Sequence, residues 1–318
     1  MRHAVLVCDR IAEPGLALLA VRPEIEVVSV VGDPVALRRE LPRADVLLVR
    51  SDTQVTAELL AAAPRLRLIG RAGMGVDNID LAGATRRGIV VLNTPGANTV
   101  SAAEHTFALL LALARRIPWA AQSMQAGAWD RKAFAGTELH DKLLGIVGLG
   151  RIGLHVAGIA RGFGMRLVAH DPYVPATRGR ELGVTLVALD ELLAAADVVT
   201  LHLPLVDETR HLLDARRLGR MKPTALVINT ARGGLVDEAA LLRALECGII
   251  AGAALDVYAV EPLPPDSALR LADRLLLTPH VAASTAEAQE RVALEICGAV
   301  RDALLEGVVR GAVSGAGP

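Results

Sequence analysis

Three ionisable residues with complementary chemistry lie in the second half of the sequence. They are Arg232, Glu261 and His280, each in a polar segment that follows an aliphatic run. Arginine can hold a carboxylate and a carbonyl oxygen, histidine can accept a proton, and a carboxylate can orient that histidine and raise its basicity. These are the groups that reversible oxidation of a 2-hydroxy acid needs. Each also has a structural interpretation, in an ion pair, a turn or a strand end.

A glycine-rich loop precedes this set. Gly148, Gly150 and Gly153 form the pattern Gly-x-Gly-x-x-Gly between an aliphatic run and a helical segment. The first glycine permits a tight turn, the second lets backbone approach a pyrophosphate, and the third lets the helix pack on the strand. Asp171 ends the next aliphatic run, where an acid would accept the adenosine ribose hydroxyls. The pattern predicts a dinucleotide site that favours NAD over NADP, although the glycines could serve only the turn.

Short aliphatic runs alternate with helical patterns along the chain, which indicates parallel sheets built from βαβ units. Four runs in the first part and six in the second suffice for two doubly wound domains. The runs are residues 4–8, 45–49, 67–69 and 89–92, and then 143–148, 166–170, 197–201, 225–229, 251–255 and 274–278. The predicted fold class is therefore α/β with two doubly wound parallel sheets.

Two long helices are predicted around the second series. Turn-forming residues at 93–98 precede a segment, 101–104, with capping-box spacing, so one helix should begin near Thr99 and end before Pro118. The other should cover about residues 285–305. The chain then ends in a glycine-rich tail, residues 313–318.

The composition limits the classes of function. Of 318 residues, 52% are hydrophobic and 22% charged, which excludes disorder, and the 2% of aromatic residues leaves an aliphatic core. A net charge of -1 provides no global field for nucleic acid or anionic lipid. The apolar runs are too short for a membrane-spanning helix. We expect no nucleic-acid partner, no membrane segment and no secretory leader.

Cysteine usage gives an expectation about compartment. Cys8, Cys247 and Cys297 are far apart and form no Cys-x-x-Cys pair. We expect all three to be reduced, buried and inert, and therefore a cytoplasmic protein. No metal site is expected.

Several further motifs occur in a fixed order. They are residues 49–51, 70–80, 93–95, 101–104, 129–132, the Gly148 loop, 231–238 and 252–256. In this ordered set, which spans nearly the whole chain, the sequence resembles the D-isomer-specific 2-hydroxyacid dehydrogenases. The resemblance is closer to their phosphoglycerate dehydrogenase branch. Met74 and the segment 281–283 depart from the family pattern.

The resemblance implies roles for the residues of the second domain. Arg232 would hold the substrate carboxylate and carbonyl, His280 would take the hydroxyl proton, and Glu261 would hydrogen-bond that histidine. Asp256 would face the nicotinamide carboxamide. Together with the glycines and Asp171, the cofactor-binding set would comprise Arg151, Ile152, Leu203, Pro204, Thr230, Ala231, Arg232, Asp256, His280, Ala282 and Ala283. The cofactor would be NAD. The remaining histidines, His105 among them, are treated as non-catalytic.

For the substrate, the resemblance implies a group of cations and backbone amides that would suit a phosphate. The group comprises Arg50, Ser51, Gly73, Met74, Gly75, Val76 and Arg131, the last or its neighbour Lys132 reaching across from a second subunit. The alternative is that these cations are ordinary solvated surface charges.

The resemblance also implies a domain organisation. A Rossmann-type nucleotide domain, residues 98–284, would be inserted in a flavodoxin-like substrate domain, residues 1–97 and 285–318, without the regulatory domain of longer relatives. A homodimer through the nucleotide domain is expected.

The expected activity is NAD-dependent oxidation of D-3-phosphoglycerate to 3-phosphohydroxypyruvate, the first step of serine biosynthesis. Two alternatives stay open. One is a glyoxylate or hydroxypyruvate reductase, or another D-2-hydroxyacid dehydrogenase. The other is an NAD(H)-sensing, corepressor-like binding protein.

Overall fold

The structure, a computed structural model, describes residues 2–313, and these divide into two compact units. The first unit comprises residues 2–98 and 284–313, and the second comprises residues 99–283. The glycine-rich tail beyond Val313 lies outside the described residues.

The first unit is built on a five-stranded parallel sheet. Its strands are β1 (His3–Val7), β2 (Ile25–Ser29), β3 (Val46–Val49), β4 (Leu68–Arg71) and β5 (Val90–Leu92). Their order is β2-β1-β3-β4-β5, which is the flavodoxin-like order. All four pairings are parallel. The predicted flavodoxin-like sheet is confirmed, with β2 as a strand that the sequence patterns missed.

Both faces of this sheet are covered, because successive side chains of a strand point to opposite faces. Leu6 and Leu47 belong to one apolar cluster, whereas Val5 and Leu48 belong to the other. Such two-sided burial explains why the central strands are continuous aliphatic runs. The helices are α1 (Glu13–Ala20), α2 (Pro34–Glu40), α3 (Ala57–Ala62), α4 (Leu81–Arg86) and, near the C-terminus, α12 (Ala286–Leu305).

The second unit is built on a seven-stranded parallel sheet. Its strands are β6 (Leu143–Val147), β7 (Arg166–His170), β8 (Thr185–Leu186), β9 (Val198–Leu201), β10 (Leu226–Asn229), β11 (Gly252–Leu255) and β12 (Leu275–Leu277). The order is β12-β11-β10-β9-β6-β7-β8. Strands β6 to β8 are added toward one edge of the sheet, and strands β9 to β12 are added toward the other, starting beside β6. This is the Rossmann order with one further strand. The predicted Rossmann-type sheet is confirmed, and β8 adds a strand to the six expected.

The register of the sheet brings four strand ends into one row. Leu201 of β9 pairs with Asn229 of β10, Asn229 pairs with Leu255 of β11, and Leu255 pairs with Leu277 of β12. The residues that follow these ends therefore lie side by side along the carboxyl edge of the sheet. In doubly wound folds this edge is where ligands bind.

The helices of the second unit are α5 (Thr99–Ala114), α6 (Ile117–Gln125), α7 (Arg151–Gly162), α8 (Ala176–Glu181), α9 (Leu189–Ala195), α10 (Ala215–Leu218) and α11 (Glu238–Glu246). Helix α5 packs against α7 and against strands β10 and β11. The expected capping box is wrong: the helix begins at Thr99, so Ser101 is a buried residue inside its first turn. Pro118 opens the first turn of α6, where a missing N–H costs no hydrogen bond.

The three cysteines are unpaired, but one differs from expectation. Burial raises the pKa of Cys8 to about 12, with a further contribution from the charge of Asp9. Burial also raises the pKa of Cys297 to about 12. Cys247 is exposed rather than buried, because it follows the last residue of α11 at the surface. Among residues 2–313, no helix is long and apolar enough to cross a membrane.

Candidate active site

A histidine and a glutamate form a direct pair at the carboxyl edge of the seven-stranded sheet. His280 Nδ1 lies 2.7 Å from Glu261 Oε2. The other carboxylate oxygen of Glu261 accepts the backbone N–H of Tyr258 at 3.0 Å. Glu261 is therefore held by its neighbouring loop while it bonds the imidazole. The carboxylate fixes the hydrogen of His280 on Nδ1, which leaves the lone pair on Nε2.

The pair shifts the pKa of both partners. The hydrogen bond that His280 donates to Glu261 raises the pKa of His280 above its ordinary value. Burial and the charge of Arg232 oppose this, and the charge of Asp256 supports it. Burial tends to raise the pKa of Glu261, but the hydrogen bonds from His280 and from the Tyr258 N–H outweigh it, so that the pKa is lowered. Glu261 thus stays ionised, and His280 changes protonation in a range above the ordinary value for histidine.

His280 lies in a left-handed backbone conformation, with φ 54°. This region is uncommon for residues other than glycine, although histidine is among the residues that tolerate it. Such a conformation persists only where the surroundings fix it. Here the residues on both sides of His280 are bonded to one carboxylate, that of Asp256.

Asp256 directly follows β11 and is fully buried. Its Oδ1 accepts the Thr278 hydroxyl at 2.6 Å and the Val281 N–H at 2.9 Å. Its Oδ2 accepts the Ala282 N–H at 2.9 Å. Burial tends to raise the pKa of Asp256, but hydrogen bonds from His105, Thr278 and the two backbone amides outweigh it, so the pKa is lowered. An ionised Asp256 therefore anchors the loop on both sides of His280.

Arg232 lies in the loop after β10, and Asn229 shapes that loop. The buried Asn229 side chain donates to the Arg232 carbonyl at 2.9 Å and accepts the Ala231 N–H at 3.1 Å. The Arg232 guanidinium donates to the Ala231 carbonyl at 2.7 Å. The charge of Arg232 acts to lower the pKa of His280. All three predicted catalytic residues thus lie in segments that follow the neighbouring strands β10, β11 and β12.

The glycine-rich loop has the shape that a bound dinucleotide requires. Gly148 has φ 95°, and a Cβ there would lie 2.5 Å from the His202 carbonyl oxygen. A Cβ on Gly153 would lie 2.1 Å from the Gly148 carbonyl oxygen. A Cβ on Gly150, in contrast, would meet no atom within 4 Å. The first and third glycines are thus needed by the turn, whereas the second faces open space that a pyrophosphate could fill.

Helix α7 begins directly after this loop, and Gly150 caps it without a side-chain hydrogen bond. Its first N–H groups and its dipole are suited to an anion. Asp171 follows β7; its Oδ2 accepts the Leu149 N–H at 2.8 Å, and its Oδ1 accepts the Tyr173 N–H at 2.9 Å. The acid is thus fixed beside the glycine loop, so the residues fit the adenosine and pyrophosphate parts of NAD.

The other residues predicted to bind the cofactor also follow strands of this sheet. Arg151 and Ile152 open α7, and Leu203 and Pro204 lie just beyond β9. Thr230 and Ala231 follow β10, and Ala282 and Ala283 follow β12. Their contact with NAD stays a prediction. His202, next to Leu203, is no candidate base, because burial lowers its pKa to about 3.

In the first unit, two side chains hold the loop that contains Arg50 and Ser51. The buried carboxylate of Asp9 accepts the N–H groups of Arg50 and Thr53 and the Thr53 hydroxyl. The Asn78 amide donates to the carbonyls of Arg50 and Thr53, at 2.7 Å in both cases. The loop after β3 is therefore fixed from both sides.

The neighbouring loop, with Gly73, Met74, Gly75 and Val76, follows β4 in the same unit. Asn93 donates to the Met74 carbonyl at 2.7 Å, and the Thr94 N–H donates to the Gly73 carbonyl at 3.0 Å. Arg131 belongs to the second unit, in an exposed loop beyond α6. The first unit thus brings together six of the seven predicted substrate-binding residues.

Several residues that hold the catalytic loops were missed from the sequence. The Tyr258 hydroxyl donates to the Thr278 carbonyl at 2.7 Å, and the Thr106 and Thr230 hydroxyls lie 2.8 Å apart. His105 Nε2 lies 3.2 Å from the Thr278 hydroxyl oxygen. Tyr258 and Thr278 lie in the same polar segments as Glu261 and His280, and this proximity in the sequence could have identified them as candidate site residues. His105 and Thr106 lie on α5, where the sequence gives none.

Comparison with known proteins places this arrangement in a family. Residues 107–282, more than half of the chain, match the family model described as "D-isomer specific 2-hydroxyacid dehydrogenase, NAD binding domain". The chain belongs to the D-isomer specific 2-hydroxyacid dehydrogenases. The matched region lies within the second unit.

Particular relatives are similar over most of the chain. D-3-phosphoglycerate dehydrogenase of Synechocystis sp. is 47% identical over 310 residues, which cover 98% of this chain but 56% of the relative. The crystal structure of TT0316 protein from Thermus thermophilus has a TM-score of 0.88 and 39% identity, covering 98% of this chain and 99% of that chain. NAD-dependent formate dehydrogenase from Staphylococcus aureus, solved with NAD, has a TM-score of 0.87 and 30% identity, covering 99% and 100%. The chain thus spans little more than half the length of the phosphoglycerate dehydrogenase that it resembles.

Proposed function

We propose that the protein oxidises D-3-phosphoglycerate to 3-phosphohydroxypyruvate with NAD as the hydride acceptor. The observation that carries the proposal is the 2.7 Å hydrogen bond between His280 and Glu261, in the same unit as the glycine loop. The choice of substrate is supported by the 47% identity to D-3-phosphoglycerate dehydrogenase. The corresponding place in metabolism is the first step of serine biosynthesis, in the cytoplasm.

In the proposed reaction, the arginine binds the substrate and the histidine transfers the proton. Arg232 holds the substrate carboxylate and the oxygen on C2. His280 takes the hydroxyl proton on Nε2, and Glu261 stabilises the imidazolium that forms. When bound, NAD would supply the acceptor for the hydride of C2. In the reverse direction, the protonated His280 returns the proton to the carbonyl oxygen.

We further propose that the first unit is the substrate domain. Arg50, Ser51 and the backbone of residues 73–76 would bind the carboxylate and the phosphate. The two hydrogen-bonded loops described above support this assignment, because both are held at fixed positions by buried or partly buried side chains. Arg131 would come from the partner subunit of a homodimer, and a solution mass that showed only monomer would contradict that part.

The test is NADH formation with D-3-phosphoglycerate, D-glycerate and D-lactate, for the wild type and for His280→Ala. We expect turnover of D-3-phosphoglycerate, with kcat lower by about 10²- to 10⁴-fold in the variant, the range for loss of a general base. Faster turnover of the unphosphorylated acids would overturn the phosphate assignment and favour another enzyme of the family. NAD binding without turnover of any of the acids would overturn the enzymatic assignment and favour a sensing protein.

A further inference from the structure

Helix α5 carries a histidine that contacts the buried carboxylate beside the catalytic loop. His105 Nε2 lies 3.3 Å from Asp256 Oδ1 and 3.2 Å from the Thr278 hydroxyl oxygen. The Thr278 hydroxyl hydrogen is already donated to Asp256 at 2.6 Å. Both oxygens facing Nε2 therefore act as acceptors, and His105 Nε2 must carry a hydrogen. His105 is thus a side-chain donor to this network.

We infer that His105 is a positioning residue for the catalytic histidine, acting through Asp256 and Thr278. The inference rests on the proposed dehydrogenase function, because positioning matters only if His280 performs the proton transfer. Among residues 2–313, the hydrogen bond and ion pair of His105 are with Thr278 and Asp256 and not with Glu261 or His280, so its effect passes through Asp256 and the loop that Asp256 anchors.

The path from His105 to His280 is short and made of hydrogen bonds. Asp256 bonds Thr278 two residues before His280, and it bonds Val281 directly after it. The left-handed backbone of His280 lies between these two anchors. A side chain that holds Asp256 in place therefore also holds the backbone of His280. This sets the orientation of the imidazole and its alignment with Glu261.

Loss of the donor at position 105 should lower the pKa of His280 for two reasons. A looser Asp256 loosens the 278–282 loop and weakens the hydrogen bond with Glu261, which is the main cause of the raised pKa. The negative charge of Asp256 also raises the pKa of His280. If Asp256 became protonated, that contribution would be lost and the pKa of His280 would fall. The charged groups of the second unit that act on His280 are Glu261, Asp256 and Arg232. Both effects have the same sign.

The experiment compares His105→Leu, which removes the donor, with His105→Gln, whose side-chain amide can donate from a similar position. The imidazole of His280 is titrated by NMR in the free protein, and kcat is measured against pH. For His105→Leu we expect a lower pKa of His280, an acid limb of oxidation at lower pH, and a kcat about tenfold lower or more, the effect of one hydrogen bond to a charged group. His105→Gln should restore most of each value.

Two further variants keep the test decisive. In an Asp256→Asn background, adding His105→Leu should have little further effect on the titration, because both residues act on one path. His155→Leu, at an exposed position of α7, is the matched control and should leave the titration unchanged. A His105→Leu protein that only melts earlier, with the titration of His280 unmoved, would overturn the inference, and so would a failure of His105→Gln to restore it. Since the titration needs no substrate, its outcome is separate from that of the turnover test.

Discussion

The Nδ1 atom of His280 lies 2.7 Å from Oε2 of Glu261, and this distance is that of a charge-assisted hydrogen bond. Glu261 is in turn fixed by the Tyr258 N–H. The imidazole is therefore held in one tautomer by a carboxylate that is itself held by the backbone. This relationship makes Glu261 the main cause of the raised pKa of His280.

Glu261→Gln tests that dependence. Oxidation requires a neutral His280, so its rate should fall as the pH drops through the raised pKa of this residue. The substitution removes the charge and weakens the hydrogen bond that raises the pKa, so the acid limb of kcat/KM should move to lower pH. We also expect kcat to fall by about tenfold or more, since the imidazolium loses its partner. A pH profile in both directions of the reaction checks this.

The reduction direction serves as the internal control for this variant. Reduction requires a protonated His280, so its rate should fall as the pH rises through the same pKa. In Glu261→Gln this fall should also begin at lower pH. Limbs that stayed in place in both directions would show that another group controls the titration.

Gly153→Ala tests the dinucleotide loop. The new Cβ would lie 2.1 Å from the Gly148 carbonyl oxygen, so the loop or the helix must shift. We expect the affinity for NAD to fall by about tenfold or more, because the backbone that approaches the pyrophosphate moves. Calorimetric titration of NAD into the variant measures the change.

The same helix provides the control substitution. A Cβ on Gly158 would meet no atom within 4 Å, so Gly158→Ala should leave NAD affinity unchanged and stabilise α7 by about 0.5–1 kcal/mol. If both alanine substitutions lowered NAD affinity equally, the collision at Gly153 would not be the cause of the weaker binding.

Asp9→Asn tests the loop proposed to bind the substrate. The carboxylate of Asp9 accepts three donors from Arg50 and Thr53, and an asparagine amide would place its own N–H groups against some of them. We expect a several-fold to hundredfold higher KM for D-3-phosphoglycerate, from about 1–3 kcal/mol of lost hydrogen bonding, with NAD affinity unchanged. Steady-state kinetics with both ligands measure this.

Asp33→Ala separates this effect from general stability. Asp33 caps α2 in the same unit by accepting the N–H groups of Val35 and Ala36, so its loss should cost about 1 kcal/mol of stability. It should not change KM. A rise in KM for Asp33→Ala equal to that for Asp9→Asn would mean that the loop responds to stability alone.

The sequence predicts most of the fold because the central strands are buried on both faces. Continuous aliphatic runs such as that of β3 are typical of such strands, and all of its residues are buried. The two strands that were missed, β2 and β8, lie at sheet edges, where one side has no partner and burial is partial. Their residues are consequently mixed in polarity and give no clear run.

Site residues that lie close together in the sequence can be predicted from spacing, whereas contacts between residues far apart in the sequence cannot. The glycine loop and Asp171 form a pattern within one βαβ unit, so spacing alone identifies them. The pairing of His105 with Thr278 joins residues that are 173 positions apart, and it depends on how α5 packs against the sheet. No periodicity or spacing encodes that packing, so the sequence does not distinguish His105 from the other histidines treated as non-catalytic.

Helix α5 touches two catalytic loops with two adjacent residues. His105 lies against Thr278, and Thr106 lies against Thr230. Because both residues belong to one helix, a sliding of α5 would displace the two contacts by the same amount and in the same direction. The separation between Arg232 and His280 would then be preserved while their common position changed. The helix serves both loops as a shared support, and an insertion between residues 105 and 106 would rotate one contact by about 100° relative to the other.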